Sequence, residues 1–286
     1  MENIIYYDYF LEFPFSKIKI NFKEITTKDQ LYLSKSRLTF NDSSQYFNFL
    51  KEVCLSSIKN KKEFENIDLI EFLFYIIKSR TISSGPKLEL MTEINDIKAK
   101  INLNLNDILK NIYDSIDTNL LKITDSNYNI VLGFPYLKDF NTIINTEKNT
   151  VDIINSFYLF IKKVNNIDFS NLSYEQREVL YNKLPLSLVF KIKQNILKVF
   201  DTLDKTNIFN IEYFKNFKIN IYNSSYLEII KILSLYDIES IHREIYLLSD
   251  MNPEYLMKTS PSERKMYLNF YMQEKESKSK NPFPME

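Results

Sequence analysis

The sequence predicts an α+β fold: an N-terminal β-hairpin with helices, a β-rich middle and a helical C-terminal half. Three patterns carry that prediction. Two runs near the start alternate apolar and polar residues, as half-buried strands do. Residues 87–135 hold several β-type runs separated by turn residues. The second half repeats apolar residues at helical spacing behind Ser, Asn and Pro helix starts. On this reading residues 1–146 form an α+β domain, 147–276 a mainly helical region and 277–286 a flexible tail.

The first strand pair is Tyr9–Phe13 and Lys17–Phe22, with Pro14 to Ser16 as the turn. Ile18, Ile20 and Phe22 share one face, and Lys17, Lys19 and Asn21 share the other. Thr26 or Thr27 caps a helix that reaches about Arg37, and a second helix spans about Ser43 to Ile58. A third runs from about Ile67 to Arg80. Its acids Asp68 and Glu71 sit at the positive end of the helix dipole. Its run Phe72–Ile77 is apolar nearly all round, which predicts burial in the middle of a domain. Gly85-Pro86 breaks the pattern. Lys87–Leu90 and Ala99–Leu105 then read as strands. So do Leu120–Ile123 and Tyr128–Leu132, joined by Asp125-Ser126-Asn127.

Val151 to Val164 predicts a helix, with apolar residues at 153, 154, 157, 160, 161 and 164. Ser173-Tyr174-Glu175-Gln176 is a capping box, in which a helix-start hydroxyl and a side chain three residues on satisfy each other's backbone N–H. Pro185 starts a helix through about Phe200, and Phe217 to Tyr222 reads as a short strand. Ser225 and Glu228 suggest another box; Ile238, Ile241, Ile245 and Leu248 follow helical spacing. Asn252-Pro253 and Ser260-Pro261-Ser262-Glu263 open two more helices. The last carries Met266, Tyr267, Phe270 and Tyr271 and fades into the charged run Glu274–Lys278.

Composition narrows the chemistry. Phosphate-cradling loops need clustered glycines, and Gly85 and Gly133 are the only two. One His and one Cys cannot build a zinc site of several His or Cys ligands, nor an internal disulfide. Any His-based catalytic pair has to use His242, on the polar side of a predicted helix; Cys54 reads as a small buried hydrophobe. Acidic and basic residues balance at 37 each, so the chain lacks the basic excess of a dedicated nucleic-acid binder. Tyr6, Tyr7, Lys215, Phe217 and Lys218 are the stacking candidates for that lesser reading. Asp96, Asp107, Asp114 and Asp117 are candidates for a carboxylate-dependent Mg²⁺ nuclease, without a specific pattern. No cofactor or metal site is predicted. The single alanine, Ala99, beside abundant Lys, Asn, Ile, Tyr and Phe reflects AT-rich codons more than chemistry. The start lacks a secretory pattern, and the longest apolar run falls far short of the ~20 residues of a membrane span. A soluble intracellular chain is therefore expected. Its 22 Phe and 20 Tyr suit a packed core and a docking surface.

The order of several phrases resembles the baseplate hub and hub-assembly proteins of T-even-like contractile-tailed bacteriophages. An acid-starting apolar helix ends in Arg80-Thr81-Ile82-Ser83-Ser84-Gly85, an R-x-x-S-x-G junction, with Pro86 where the family has a polar or acidic residue. Val131-Leu132-Gly133-Phe134-Pro135 is similar to the phrase that closes the family's β-rich middle. Leu172–Gln176, Lys183-Leu184-Pro185, Met251–Met257 and Ser260–Arg264 with Met266-Tyr267-Leu268 resemble its helical half. The resemblance implies a non-catalytic component of the tail baseplate hub, or a hub-assembly factor absent from the mature virion. Its partners would be other baseplate or tail proteins; by the apolar runs no membrane is expected, and by the charge balance nucleic acid stays the lesser reading. Its places would be the virion tail and, during assembly, the host cytoplasm. The candidates for partner contact are Arg80, Ser83, Gly85, Arg264, Tyr267 and Tyr271. Each has a structural alternative: Arg80 complements a helix C-terminus, Gly85 supplies a turn, and the last helix packs on its own domain.

Overall fold

The structure, a computed structural model, describes residues 8–40, 43–94, 97–140, 144–145, 150–151, 156–205, 224–234 and 236–280. The chain opens with an antiparallel hairpin, β1 (Asp8–Glu12) and β2 (Lys19–Lys23), in which Tyr9 faces Phe22 and Leu11 faces Ile20. The predicted alternation holds: Ile20 and Phe22 are buried, while Lys19 and Asn21 are exposed. Helix α1 (Thr27–Thr39) starts at Thr26, whose hydroxyl accepts from the Asp29 N–H while the Asp29 carboxylate accepts from the Thr26 N–H. Helix α2 (Ser43–Ser57) and the short α3 (Lys61–Glu65) follow; the latter lies between predicted elements.

Helix α4 (Leu69–Ser84) is the centre of the fold. Twelve of its sixteen residues are buried, so it is enclosed on all sides, as its apolar run requires. Phe72 meets Phe47 of α2 edge-on at 5.3 Å, and Tyr75 meets Phe22 at 5.2 Å and Phe64 at 4.9 Å. Gly85 ends the helix with φ 85° and ψ 173°, a conformation that a side chain disfavours.

Strands β3 (Lys87–Ile94) and β4 (Ile97–Asn104) pair as a hairpin in place of the shorter predicted runs. The middle is less purely β than its composition suggests, because helix α5 (Leu105–Asp114) lies within it. Asn104 caps α5, and Leu105, Ile108, Leu109 and Ile112 form its buried face. Next come β5 (Lys122–Thr124), β6 (Asn129–Leu132) and the two-residue pair β7 (Ile144–Asn145) and β8 (Thr150–Val151).

The helix predicted over Val151–Val164 is corrected by the structure, within the part that is described. Val151 belongs to β8, Phe157–Phe160 is a single 3₁₀ turn, and β9 (Ile161–Val164) is a strand. β9 pairs antiparallel with β6 on one side and with β10 (Ile167–Asp168) on the other. Asn165, with φ 51°, makes the turn between β9 and β10; Asn tolerates this region better than most residues. Its amide oxygen accepts from the Asn129 N–H at 2.7 Å, and its own N–H donates to the Asn129 carbonyl at 2.8 Å. The resulting sheet, in order β10-β9-β6-β5, joins strands from both sides of residue 146.

The remaining helices match their predicted starts closely. Helix α6 (Tyr174–Asn182) carries the Ser173 capping box. Helix α7 (Leu186–Lys205) follows Pro185. Helix α8 (Ser224–Leu233) already includes Ser225, so that serine is not its cap. The strand predicted over Phe217–Tyr222 lies outside the described residues. Helix α9 (Ile238–Leu247) starts at Asp237, and α10 (Pro253–Lys258) has Asn252 as N-cap and Pro253 in its first turn. Helix α11 (Pro261–Lys280) continues past the charged run where the sequence predicts fading. One hydrophobic core extends from the hairpin through α2, α4, α5 and the four-stranded sheet to α7 and α8. Among the described residues, no helix is long and apolar enough to cross a membrane.

Candidate functional site

The six candidate residues fall at two helix junctions that the fold brings side by side. Arg80, Ser83 and Gly85 sit at the end of α4, and Arg264, Tyr267 and Tyr271 lie on α11. The Lys265 ammonium links the two, donating to the Ser83 carbonyl at 2.9 Å. Arg80 is buried, with its guanidinium 5.1 Å from the centre of the Tyr236 ring. Its Nε and Nη1 have no hydrogen-bond partner among the described residues, and burial lowers its pKa. The Ser83 hydroxyl donates back to the carbonyls of Ser79 and Arg80, closing the last turn.

Arg264 is buried where α1, α9 and α11 meet. It donates to Glu244 at 2.5 Å, to the Thr27 hydroxyl and to the Gln30 side chain at 3.1 Å. The Thr27 N–H adds a bond to the Thr259 carbonyl at 2.9 Å, so the start of α1 is locked to the start of α11. Glu263 is also buried; one of its oxygens accepts from Tyr255 at 2.9 Å and from Tyr267 at 3.2 Å. The structure thus places Arg80, Ser83 and Arg264 inside the protein and leaves Tyr267 and Tyr271 partly exposed.

Tyr267 and Tyr271 line a groove of about 460 Å³ between α9 and α11, together with Leu247, Leu248, Met251 and Phe270. The Lys275 ammonium lies 4.7 Å from the centre of the Tyr271 ring. Nearby Tyr246 and Phe270 are 77% and 58% exposed, which is unusual for such large apolar groups. A second exposed apolar surface lies on α7, where Leu186, Phe190 and Leu197 point outwards. Neither Tyr246 nor the outer face of α7 stands out in the sequence. The exposure of a helix face depends on the packing of distant elements, which helical spacing does not reveal.

A buried polar cluster lies beneath the hairpin turn, at a cavity of about 500 Å³. Asp68 and Glu71 form the α4 capping box, and Glu71 also accepts from the N–H groups of Phe15 at 3.1 Å and Ser16 at 2.7 Å. Lys162 of β9 crosses Gly133 so closely that an added Cβ there would meet its Cε at 2.6 Å. Its ammonium lies 3.2 Å from the centre of the Tyr136 ring and has no hydrogen-bond partner among the described residues. Burial pushes the Asp68 carboxyl up to about 7, with the neighbouring Glu71 charge adding to the effect. Burial brings Lys162 down to about 8, against the opposing pull of Asp68 and Glu71. Beside it, buried Arg177 of α6 donates to Asp139. These contacts hold the hairpin, α4, the sheet and α6 in register.

His242 is exposed, and Cys54 is buried with its thiol pKa pushed up, chiefly by desolvation. Asp107, Asp114 and Asp117 each face solvent, while Asp96 lies outside the described residues. So do the stacking candidates Tyr6, Tyr7, Lys215, Phe217 and Lys218. Among the described residues, no three His, Cys, Asp or Glu side chains are grouped to hold a metal.

No curated protein and no solved structure matches this chain. A family model described as "T4 bacteriophage base plate protein" matches residues 6–212, which span the hairpin, the central helix, the four-stranded sheet and α7. The chain belongs to that family of T4-type bacteriophage base plate proteins.

Proposed function

We propose that this base plate protein is a non-catalytic subunit of the tail baseplate hub, acting through contacts with other tail proteins. The family membership carries the reading. The order of phrases from Arg80–Gly85 to Ser260–Arg264, which resembles the hub and hub-assembly proteins, supports its finer part. The exposed aromatic groups around the α9–α11 groove support contact with partners, since aromatic anchors supply much of the binding energy at interfaces. In this reading Tyr267 and Tyr271 touch a partner. Arg80, Ser83, Gly85 and Arg264 act indirectly, by holding α4 and α11 where that surface forms. The chain acts in the virion tail and assembles there from the host cytoplasm.

The test is co-expression with the proteins encoded next to it, followed by pull-down on this chain. The expected result is retention of at least one tail protein, weakened by Tyr267→Ser with Tyr271→Ser. Retention of none, with the chain folded, contradicts the reading. An assembly factor would bind the same partners, and the composition of purified particles separates it from a subunit.

A further inference from the structure

The N-terminal hairpin has one closed edge and one open edge. In an antiparallel pair, residues bonded to the facing strand alternate with residues whose backbone groups turn away from it. The Phe13 N–H donates to the Ile18 carbonyl at 2.9 Å, so in the same register Leu11 with Ile20 and Tyr9 with Phe22 are the bonded pairs. On β2 the outward groups are then those of Lys19 and Asn21, and neighbours cover them. The Asn60 side-chain oxygen accepts from the Asn21 N–H at 3.0 Å, and its amide donates to the Lys19 carbonyl at 2.7 Å. The Lys59 N–H donates to the Asn21 carbonyl at 3.0 Å. On β1 the outward groups are those of Asp8, Phe10 and Glu12. Among the described residues none of these backbone groups has a hydrogen-bond partner, and β1 pairs with no strand but β2. Phe10 stands at the middle of this edge, 62% exposed, between the exposed acids Asp8 and Glu12. Asp8 meets Lys59 at 2.5 Å and Glu12 meets Lys19 at 3.5 Å, so the acids already have lysines on one side.

We infer that the open edge of β1 takes an extended segment of a partner protein as a third strand, a segment that alternates apolar residues with Lys or Arg. Unpaired main-chain groups along an edge are a template for strand addition, and the alternate side chains set which segment fits. On the face of Asp8, Phe10 and Glu12, the added strand places a basic residue opposite each acid and an apolar one opposite Phe10. Opposite charges and apolar pairs on neighbouring strands attract. A carboxylate has two oxygens and accepts from lysines on both sides. On the other face, apolar residues of the added strand continue the row of Tyr9 and Leu11, which packs against the core. A second copy of β1 with Phe10 against Phe10, in either direction, sets acid against acid, so the charge pattern disfavours self-pairing. The inference rests on the baseplate reading only in taking the partner to be another tail protein.

The experiment uses the full chain and labelled nine-residue synthetic peptides, followed by fluorescence anisotropy. The first peptide has Val at its even positions, Phe at its centre and Lys at its other odd positions; the second has Glu for Lys. Two further copies of the Lys peptide are N-methylated, one at odd and one at even positions, which blocks one edge of the strand in each. The expected result is saturable binding of the Lys peptide, with at least tenfold weaker binding of the Glu peptide. The two methylated peptides differ from each other at least tenfold, because one edge of the peptide pairs with β1 and the other faces solvent. Phe10→Ser weakens the Lys peptide at least tenfold, and Asp8→Asn with Glu12→Gln narrows its advantage over the Glu peptide. These are surface changes, so circular dichroism is expected to show both variants folded. No binding of the Lys peptide, equal binding of the Lys and Glu peptides, equal binding of the two methylated peptides, or binding unchanged in either variant overturns the inference. So does a wild-type dimer in sedimentation that Phe10→Ser dissociates, because the edge then belongs to a second copy. Failure here while the chain is found in purified tails removes this strand site and leaves the baseplate reading standing.

Discussion

Arg264 divides its guanidinium among Glu244, Thr27 and Gln30, and so ties α11 to α9 and α1. Removing one member of such a buried network leaves the others desolvated and unpaired. Arg264→Met is therefore expected to lower stability by about 3 kcal/mol, read as a fall in the urea midpoint. An unchanged midpoint contradicts the assigned role. Asp68 and Lys162 make a different prediction. Asp68 titrates near 7 when folded against an ordinary value of 3.8, so the folded state holds a proton that the unfolded state has released across that window. Its contribution to stability falls as pH rises from about 4 to 7. Lys162 titrates near 8 against 10.5, so the unfolded state binds more protons between those values and stability recovers as pH rises through them. Asp68→Asn keeps an N-cap oxygen but cannot titrate. The urea midpoint of the wild type, relative to this variant, is expected to decline from pH 4 to 7; a constant difference contradicts the buried position of Asp68.

Several helix starts are legible because a side chain satisfies the first turn. Thr26, Ser173, Asn252 and Ser260 all stand at the helix starts the sequence indicates. The burial of α4 is legible too, because a helix that is apolar all round has no face to give to water. Asp68 and Glu71 do more than complement the helix dipole, since D-x-x-E is itself a capping pair and forms one here. Helix α5 is hidden in the sequence because Leu105 also completes the alternation of the preceding strand. That masks the i, i+3, i+4, i+7 pattern of Leu105, Ile108, Leu109 and Ile112. The helical spacing over Val151–Val164 misleads. The Asn165 turn and the pairing of β9 with β6 decide the outcome, and that pairing joins residues 29 to 34 apart in sequence. Lys162 does not stand out for the same reason, since its neighbour Tyr136 arrives through that long-range pairing. At this scale Gly85 gives the sharpest test. Its φ of 85° with ψ of 173° is a region that essentially only glycine occupies, while an added Cβ would meet nothing within 4 Å. Gly85→Ala is thus expected to cost about 1–3 kcal/mol through the backbone alone, seen as a lower melting temperature. A melting temperature equal to the wild type contradicts the assigned conformation.

At the scale of the whole molecule, buried polar ties and exposed apolar surfaces divide the work. The Lys162–Asp68–Glu71 cluster and the Arg264 junction fix how the elements sit together. The α9–α11 groove and the outer face of α7 leave aromatic and aliphatic groups facing solvent. Two Gly, one His and one Cys are too few for a glycine-rich phosphate loop or a zinc site of several His or Cys ligands, although codon bias contributes to that scarcity. Family membership then supplies the setting, a phage baseplate, and with it contact with other tail proteins. The most direct test of the proposed role as a baseplate subunit is quantitative mass spectrometry of purified phage tails. A subunit is present at a fixed ratio to the other baseplate proteins and stays with them through further purification. Absence of the chain from purified tails, while it is abundant in the infected-cell extract, would contradict that role.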